Sequence, residues 1–292
     1  MSTGKLLIFL LKSCNACAAA LGAPRSAEIS VLYHEREGIP AALRIQAAEE
    51  AAAASRVAGG QLAPAGRHPY LVGLLVSLTV GATSVCGASV LSNTKLVTAA
   101  HCWFDGRYQG FELEAVFGST TLFSGGTRVT SRAVDSHASY NPANLNNDIA
   151  IITVPFVGYT NLIQPISLPT GILSWLTFEW NWAVVAGYGV TRDEESITSS
   201  QSVRDVSVMV VNNLDCATVY GWNVVGSTLC TSGQGRVGPC GGDSGGPLAL
   251  TLSGETYLIG VTSFHAAGGC DIGFPGGYAR VTSFLAWIQA RL

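Results

Sequence analysis

The sequence predicts an all-β protein of short antiparallel strands closed by one C-terminal helix. Three observations carry that expectation. Runs rich in Val, Ile, Leu and Thr recur at Tyr70 to Val80, Ile149 to Val154, Trp182 to Ala186, Val203 to Val211 and Tyr257 to Phe264. Gly, Pro, Asn and Ser separate them, the punctuation of turns between strands. Only at the end do apolar residues take a helical spacing, where Val281, Phe284, Leu285, Ile288 and Leu292 fall on one face. Closely spaced strands with Gly-rich turns argue for an antiparallel sandwich or barrel.

The N-terminus reads differently. Lys5 precedes the apolar run Leu6 to Leu11, and small residues follow from Ala18 to Ala23. That order is the order of a secretory signal peptide, here assigned to residues 1–23. Residues 24–56 stand apart as a propeptide. They include Ala47 to Ala54, a low-complexity stretch of helix-forming composition that offers little to bury. The segment ends at Ser55-Arg56-Val57-Ala58-Gly59-Gly60, where Arg56 is accessible to cleavage by a trypsin-like enzyme. Residues 57–292 carry the strands and form the main domain.

Composition narrows the function. Only 12% of the 292 residues are charged and 48% are apolar, which excludes disorder over most of the chain. A net charge of −3 with no Lys/Arg-rich run leaves no footprint for nucleic acid. No later segment approaches the ~18 uninterrupted apolar residues of a membrane span. Eight cysteines suit an exported chain. Cys14 and Cys17 fall within the leader, and Cys86, Cys102, Cys216, Cys230, Cys240 and Cys270 remain. Spacing alone assigns no pairing among these six. None has a second Cys or His beside it at zinc-ligand spacing, so disulfides are expected rather than a metal.

The chemistry concentrates in three motifs. Cys240-Gly241-Gly242-Asp243-Ser244-Gly245-Gly246-Pro247 sets a serine in a glycine-rich loop, whose backbone amides can approach a substrate closely. Alone it reads equally well as a turn. Upstream stand Thr98-Ala99-Ala100-His101-Cys102 and Asn147-Asp148-Ile149-Ala150, in the order His, Asp, Ser. With Arg56-Val57-Ala58-Gly59-Gly60 at the head, this ordered set closely resembles the chymotrypsin-like serine proteases. In Thr262-Ser263-Phe264 and in Ala279 to Phe284 it looks most like the insect midgut digestive chymotrypsins.

The resemblance covers Val57 to Leu292 and implies two packed antiparallel β-barrels with the active site in the crevice between them and a C-terminal α-helix. It implies Ser244 as nucleophile, His101 as general base and acid, and Asp148 as the group that orients the imidazole. The amides of Gly242 and Ser244 would form the oxyanion hole, and Ser263 would support Asp148 and line the substrate strand. Cutting after Arg56 would free the Val57 ammonium to pair with Asp243 and hold the Gly242 amide in place. The implied disulfides are Cys86–Cys102, Cys216–Cys230 and Cys240–Cys270.

The same resemblance places Gly238 at the floor of the substrate pocket, where trypsin-like members carry an Asp. Gly276 would lie in the wall and leave room for a large side chain. These two favour cleavage after bulky apolar residues. His265 at the mouth, and the length of Thr262 to Cys270, keep an elastase-like or collagenase-like preference open, and a catalytically silent homologue acting by binding is the rival class. Phe117 to Phe123 offers hydroxyls rather than carboxylates, so calcium is not expected, and no cofactor or metal is. The expected partners are protein or peptide substrates and an activating trypsin-like protease, with no nucleic acid and no membrane, and the chain is expected to be a monomer. It is expected to be secreted. Lys95 is the only lysine after Val57, which suits an alkaline setting such as a gut lumen, because arginine keeps its charge there. His34, His68 and His137 read as surface or turn residues, and Asp135 and Asp205 as solvated charges.

Overall fold

The computed structural model describes residues 26–54, 66–189 and 203–292. The expected leader, 1–23, and the expected cleavage point at Arg56 and Val57 lie outside the described residues. Among the described residues, no helix is long and apolar enough to cross a membrane.

Helix α1 (Ile39–Ala54) comes first and runs on directly from a wider helical turn at His34–Gly38. Its composition suggests little to bury, yet Ala41, Ala42, Ile45 and Ala48 are all buried. The first three pack against Leu71, Val85, Val116, Leu122, Ala186 and Tyr188. Small side chains on that face let the helix backbone lie close to the strands beneath it.

Seven strands follow: β1 (Leu71–Leu78), β2 (Thr83–Val90), β3 (Lys95–Thr98), β4 (Gly110–Phe117), β5 (Thr127–Ser131), β6 (Ala133–Ser136) and β7 (Ala150–Thr153). They form one antiparallel sheet in the order β5-β4-β1-β2-β3-β7-β6. Its two edge strands, β5 and β6, are separated in sequence only by Arg132, so the sheet must curl until its edges meet there. Alternation decides which side chains go where. Val72, Leu74, Val76 and Leu78 of β1 point into the curl with Leu96, Leu113 and Ile152, whereas Leu71 and Leu75 turn to the α1 side.

The second half contains β8 (Trp182–Gly187), β9 (Arg204–Val211), helix α2 (Asn213–Tyr220), β10 (Thr228–Thr231), β11 (Pro247–Leu252), β12 (Glu255–Phe264) and β13 (Gly276–Arg280). Its strands close into a barrel in the order β10-β13-β12-β11-β8-β9 around Val185, Val208, Val210, Leu229, Leu248, Ile259 and Tyr278. The sequence reading finds only one helix in this half. Helix α2 escapes it because eight residues without an apolar stripe leave no period to see. What starts α2 is a cap, the Asn212 side chain accepting from the Asp215 amide at 2.8 Å, and the Cys216–Cys230 disulfide pins it to β10.

Helix α3 (Val281–Gln289) ends the chain as the spacing predicts, with Val281, Phe284, Leu285 and Ile288 buried. Leu292 departs from that face, lying beyond the helix and 52% exposed. Although α3 follows the barrel, its apolar face lies in a core shared by both halves, with Ile151 and Ile152 from the first and Leu258 and Val261 from the second. His137 lies against Phe284 and Trp287 at ring-centroid distances of 5.4 and 5.2 Å. Asp135 pairs with Arg291 at 2.7 Å. Asp135 is an exposed charge and His137 a partly buried loop residue, as expected, and both touch the last helix. Asp205 is likewise partnered, by His68 at 2.7 Å and Arg67 at 3.1 Å.

Three disulfides join Cys86 to Cys102, Cys216 to Cys230 and Cys240 to Cys270, the pairing the resemblance implies. Each closes a short loop, worth ~3 kcal/mol in the chain-entropy account. Because Ile288 is fully buried in the core that α3 shares with both halves, Ile288→Ala should cost about 2–5 kcal/mol. Urea unfolding with an unchanged slope would show that the loss is local packing.

Candidate active site

His101 sits in the short turn Ala100–Cys102 just after β3, and the Cys86–Cys102 disulfide ties that turn to β2. Asp148 lies just before β7. Ser263 is in β12, and Ser244 is in the loop that leads into β11. These residues, far apart in sequence, meet where the two halves face each other.

Asp148 is buried and fully engaged. One carboxylate oxygen accepts from the His101 amide at 2.9 Å. The other accepts from His101 Nδ1 at 2.7 Å and from the Ser263 hydroxyl at 2.6 Å. This sets the tautomer of the ring, with Nδ1 carrying the proton and Nε2 directed elsewhere. Burial alone would push the His101 imidazole down. The charge and hydrogen bond of Asp148, helped by Glu37 and Asp105, outweigh it and hold the pKa above its ordinary value. His101 Nε2 is buried with no hydrogen-bond partner among the described residues.

The Ser244 loop is locked to the first half through its backbone. The Gly87 amide donates to the Ser244 carbonyl at 2.7 Å, and the Gly245 amide donates to the Thr262 carbonyl at 2.8 Å. Gly245 has φ +79°, and a Cβ there would stand 2.2 Å from Thr98 Oγ1 and 2.5 Å from the Gly87 carbonyl oxygen. The two halves touch through this glycine.

Asp243, next to Ser244, is turned inward. It accepts from the Gly189 amide at 2.8 Å and the Cys240 amide at 3.1 Å. Burial pushes its carboxyl up to about 6, against those two amides and the charge of His265, which pull it down. It lines a cavity of about 690 Å³ together with Gly187, Gly189 and Gly238. A Cβ on Gly189 would come within 2.5 Å of an Asp243 oxygen, so only glycine admits the carboxylate here. Sequence reasoning overlooks Gly189; its signal is the closely spaced pair in Gly187-Tyr188-Gly189.

Of the predicted pocket residues, Gly238 opens on free space, with nothing within 4 Å of where a Cβ would stand. A Cβ on Gly276, expected in the wall, would meet Pro239 at 2.8 Å, so its bareness lets the two segments pack together. His265 stands at the rim, where its Nε2 meets Glu37 at 3.0 Å.

The cleft itself is filled from the N-terminal segment. The Tyr33 ring lies 4.7 Å from the His101 ring, and its hydroxyl donates to the Val85 carbonyl at 2.6 Å. Burial raises the phenol pKa well above 10 and the Glu37 charge adds to it; hydrogen bonds from the Gly242 amide and the Ser244 side chain act the other way. His34, expected at the surface, is buried, with Nδ1 2.8 Å from the Ser84 hydroxyl and its amide donating to Asp105 at 2.9 Å. Burial, opposed by Asp105 and reinforced by His101, lowers its pKa to about 4.

Residues 57–288 match the trypsin family. The chain belongs to the trypsin family. It is 38% identical over 235 residues to a collagenase of Hypoderma lineatum, covering 80% of this chain and 86% of that protein. It is 34% identical over 242 residues to serine protease 1 of Drosophila melanogaster, with 80% and 84% covered. Brachyurin of Leptuca pugilator is 38% identical over 210 residues, with 70% and 87% covered. A solved structure of HL collagenase superposes with a TM-score of 0.72 at 36% identity, covering 80% of this chain and 98% of the other. The trypsin fold is therefore the fold of this chain, a serine protease by family, with one half a closed barrel and the other a curled seven-stranded sheet. Because the packing at Gly245 leaves no space for a methyl group, Gly245→Ala should cost about 2–5 kcal/mol from strain and overpacking together. Thermal melts and near-ultraviolet circular dichroism would register it as lost stability with loosened packing around the cleft.

Proposed function

We propose that the chain is a secreted serine endopeptidase, made as an inactive precursor, with His101, Asp148 and Ser244 as its triad. The observation that carries this reading is the buried Asp148–His101 pair, supported by Ser263, with Ser244 of the glycine-rich loop lining the same small void as His101. In the reaction, Ser244 Oγ attacks the peptide carbonyl while His101 Nε2 takes its proton, and the bond to the leaving amine breaks as His101 returns that proton. Water then repeats the cycle on the acyl-enzyme. Asp148 keeps Nδ1 protonated and stabilises the imidazolium. The amides of Gly242 and Ser244 hold the oxyanion. Ser244→Ala or His101→Ala should lower kcat by about five to six orders of magnitude with the fold unchanged. Wild-type turnover in either variant would refute the assignment.

Gly238 at the pocket floor provides no counter-charge for a buried Arg or Lys, so the reading favours Phe, Tyr or Leu before the scissile bond. A broader, collagenase-like preference is supported by the named relatives and by His265 at the rim. A panel of peptides differing only at that residue separates the two: a sharp aromatic or leucine optimum supports the first, and even rates across apolar and polar residues support the second. Best cleavage after Arg would overturn both.

Activation follows from Asp243. A cut after Arg56 frees the Val57 ammonium, and a cation beside this carboxylate relieves the burial that holds its proton. In the precursor the folded carboxyl keeps its proton to about pH 6, against an ordinary 3.8. The precursor is therefore relatively stabilised below that ordinary value and loses the contribution as pH rises through about 6. Titration of a labelled Asp243 should give an apparent pKa near 6 before cleavage and one below its ordinary value afterwards. An unchanged value after the cut would sink the ion pair. Residues 1–23 act as the leader, and the three disulfides agree with export.

A further inference from the structure

Cleavage after Arg56 alone does not clear the cleft. The N-terminal segment runs antiparallel to the stretch just after β12, with the Ser30 amide donating to the His265 carbonyl at 2.9 Å and the Ala267 amide donating to the Glu28 carbonyl at 2.8 Å. Ile29 and Ala266 form the bridge between them. Continued along the same register, Leu32 comes opposite Ser263, beside Asp148 and Ser244. There the backbone leaves the strand edge, because Leu32 adopts a left-handed conformation with φ +60°.

Tyr33 takes over at that turn. Its ring covers His101, and its hydroxyl reaches the Val85 carbonyl among hydrogen bonds from Gly242 and Ser244. A phenol at this point provides no carbonyl for a serine to attack. Glu37 then joins His265 to the Ser30 hydroxyl across the rim. At the far end Glu49 accepts from the Phe123 amide at 3.1 Å and the Ser124 hydroxyl at 3.0 Å. The void left among Tyr33, His101, Ser244 and His265 is about 10 Å³, no more than the ~10–15 Å³ a single water needs. Every one of these contacts is made by residues 28–49, so a cut after Arg56 breaks none of them.

We propose that residues 26–54 are an inhibitor of this chain's own active site, pairing with the stretch just after β12, at the edge a substrate would use, and staying bound after the activating cut. Activity then requires two events, the cut and the loss of the segment. The proposal rests on the peptidase reading above.

The test uses the full chain with an enteropeptidase site ending at position 56, cut to completion. Two readouts are followed: whether the N-terminal fragment co-elutes with 57–292, and the initial rate on a peptide substrate across a dilution series. Co-elution is expected, with a specific activity that rises about tenfold or more on dilution as the fragment dissociates. The full chain carrying Tyr33→Ala and Glu37→Gln should be active at once, by a similar factor at equal concentration. Should that chain not fold, Glu37→Gln alone, at the rim, carries the same expectation in smaller measure. A wild-type chain that is fully active on cutting, with its fragment eluting separately, overturns the inhibitor. If neither chain hydrolyses peptide nor reacts with a fluorophosphonate at any dilution, the peptidase reading falls and the inhibitor with it.

Discussion

A buried carboxylate at the junction of the two halves sets the terms for the structure around it. Asp148 is 1% exposed, and an unpaired charge in such a place costs several kcal/mol. Three donors offset the cost. Two come from His101 in the first half and one from Ser263 in the second. Satisfying the carboxylate therefore requires that the halves meet, and their meeting is what makes a cleft. Asp243 presents the opposite case. It too is buried, but the donors to it are two neutral backbone amides, so burial dominates and its proton is held to about pH 6. One carboxylate fastens the molecule, and the other leaves electrostatic demand for a cation.

Much of this was legible in the sequence, for reasons that differ by element. The five long strand runs announce themselves because one face of each must be apolar. The residues around His101, Asp148 and Ser244 are readable because their chemistry demands fixed neighbours. Helix α2 was not readable, since a cap and a disulfide rather than a stripe establish it. The partners of His34, His68, Asp135 and Asp205 could not be foreseen either. Each is satisfied by a residue far away in sequence, and no local pattern encodes such a pairing. Gly276 is the subtler case. Its position in the wall was expected, but whether a missing side chain makes space or closes it depends on Pro239 opposite.

The alanine-rich helix shows how little apolar volume a docked element needs. Ala41, Ala42 and Ile45 bury small areas, yet they lie against residues from both halves, Val85 and Val116 on one side and Ala186 and Tyr188 on the other. The polar contacts at Tyr33, His34, Glu37 and Glu49 then fix its register. Low hydrophobicity combined with many directional bonds suits a segment that must hold firmly in one place and remain soluble when released.

Among the described residues no disulfide crosses between the two halves; Cys86–Cys102 lies in the first, and the other two bridges lie in the second. Helix α3, which follows the barrel in sequence, instead shares one core with residues of both halves. Because α3 follows every strand of both halves in the sequence, a growing chain carries all of them before it carries this helix. Synthesis thus provides its own interval during which the Ser244 loop and His101 exist on one chain before the last helix is in place.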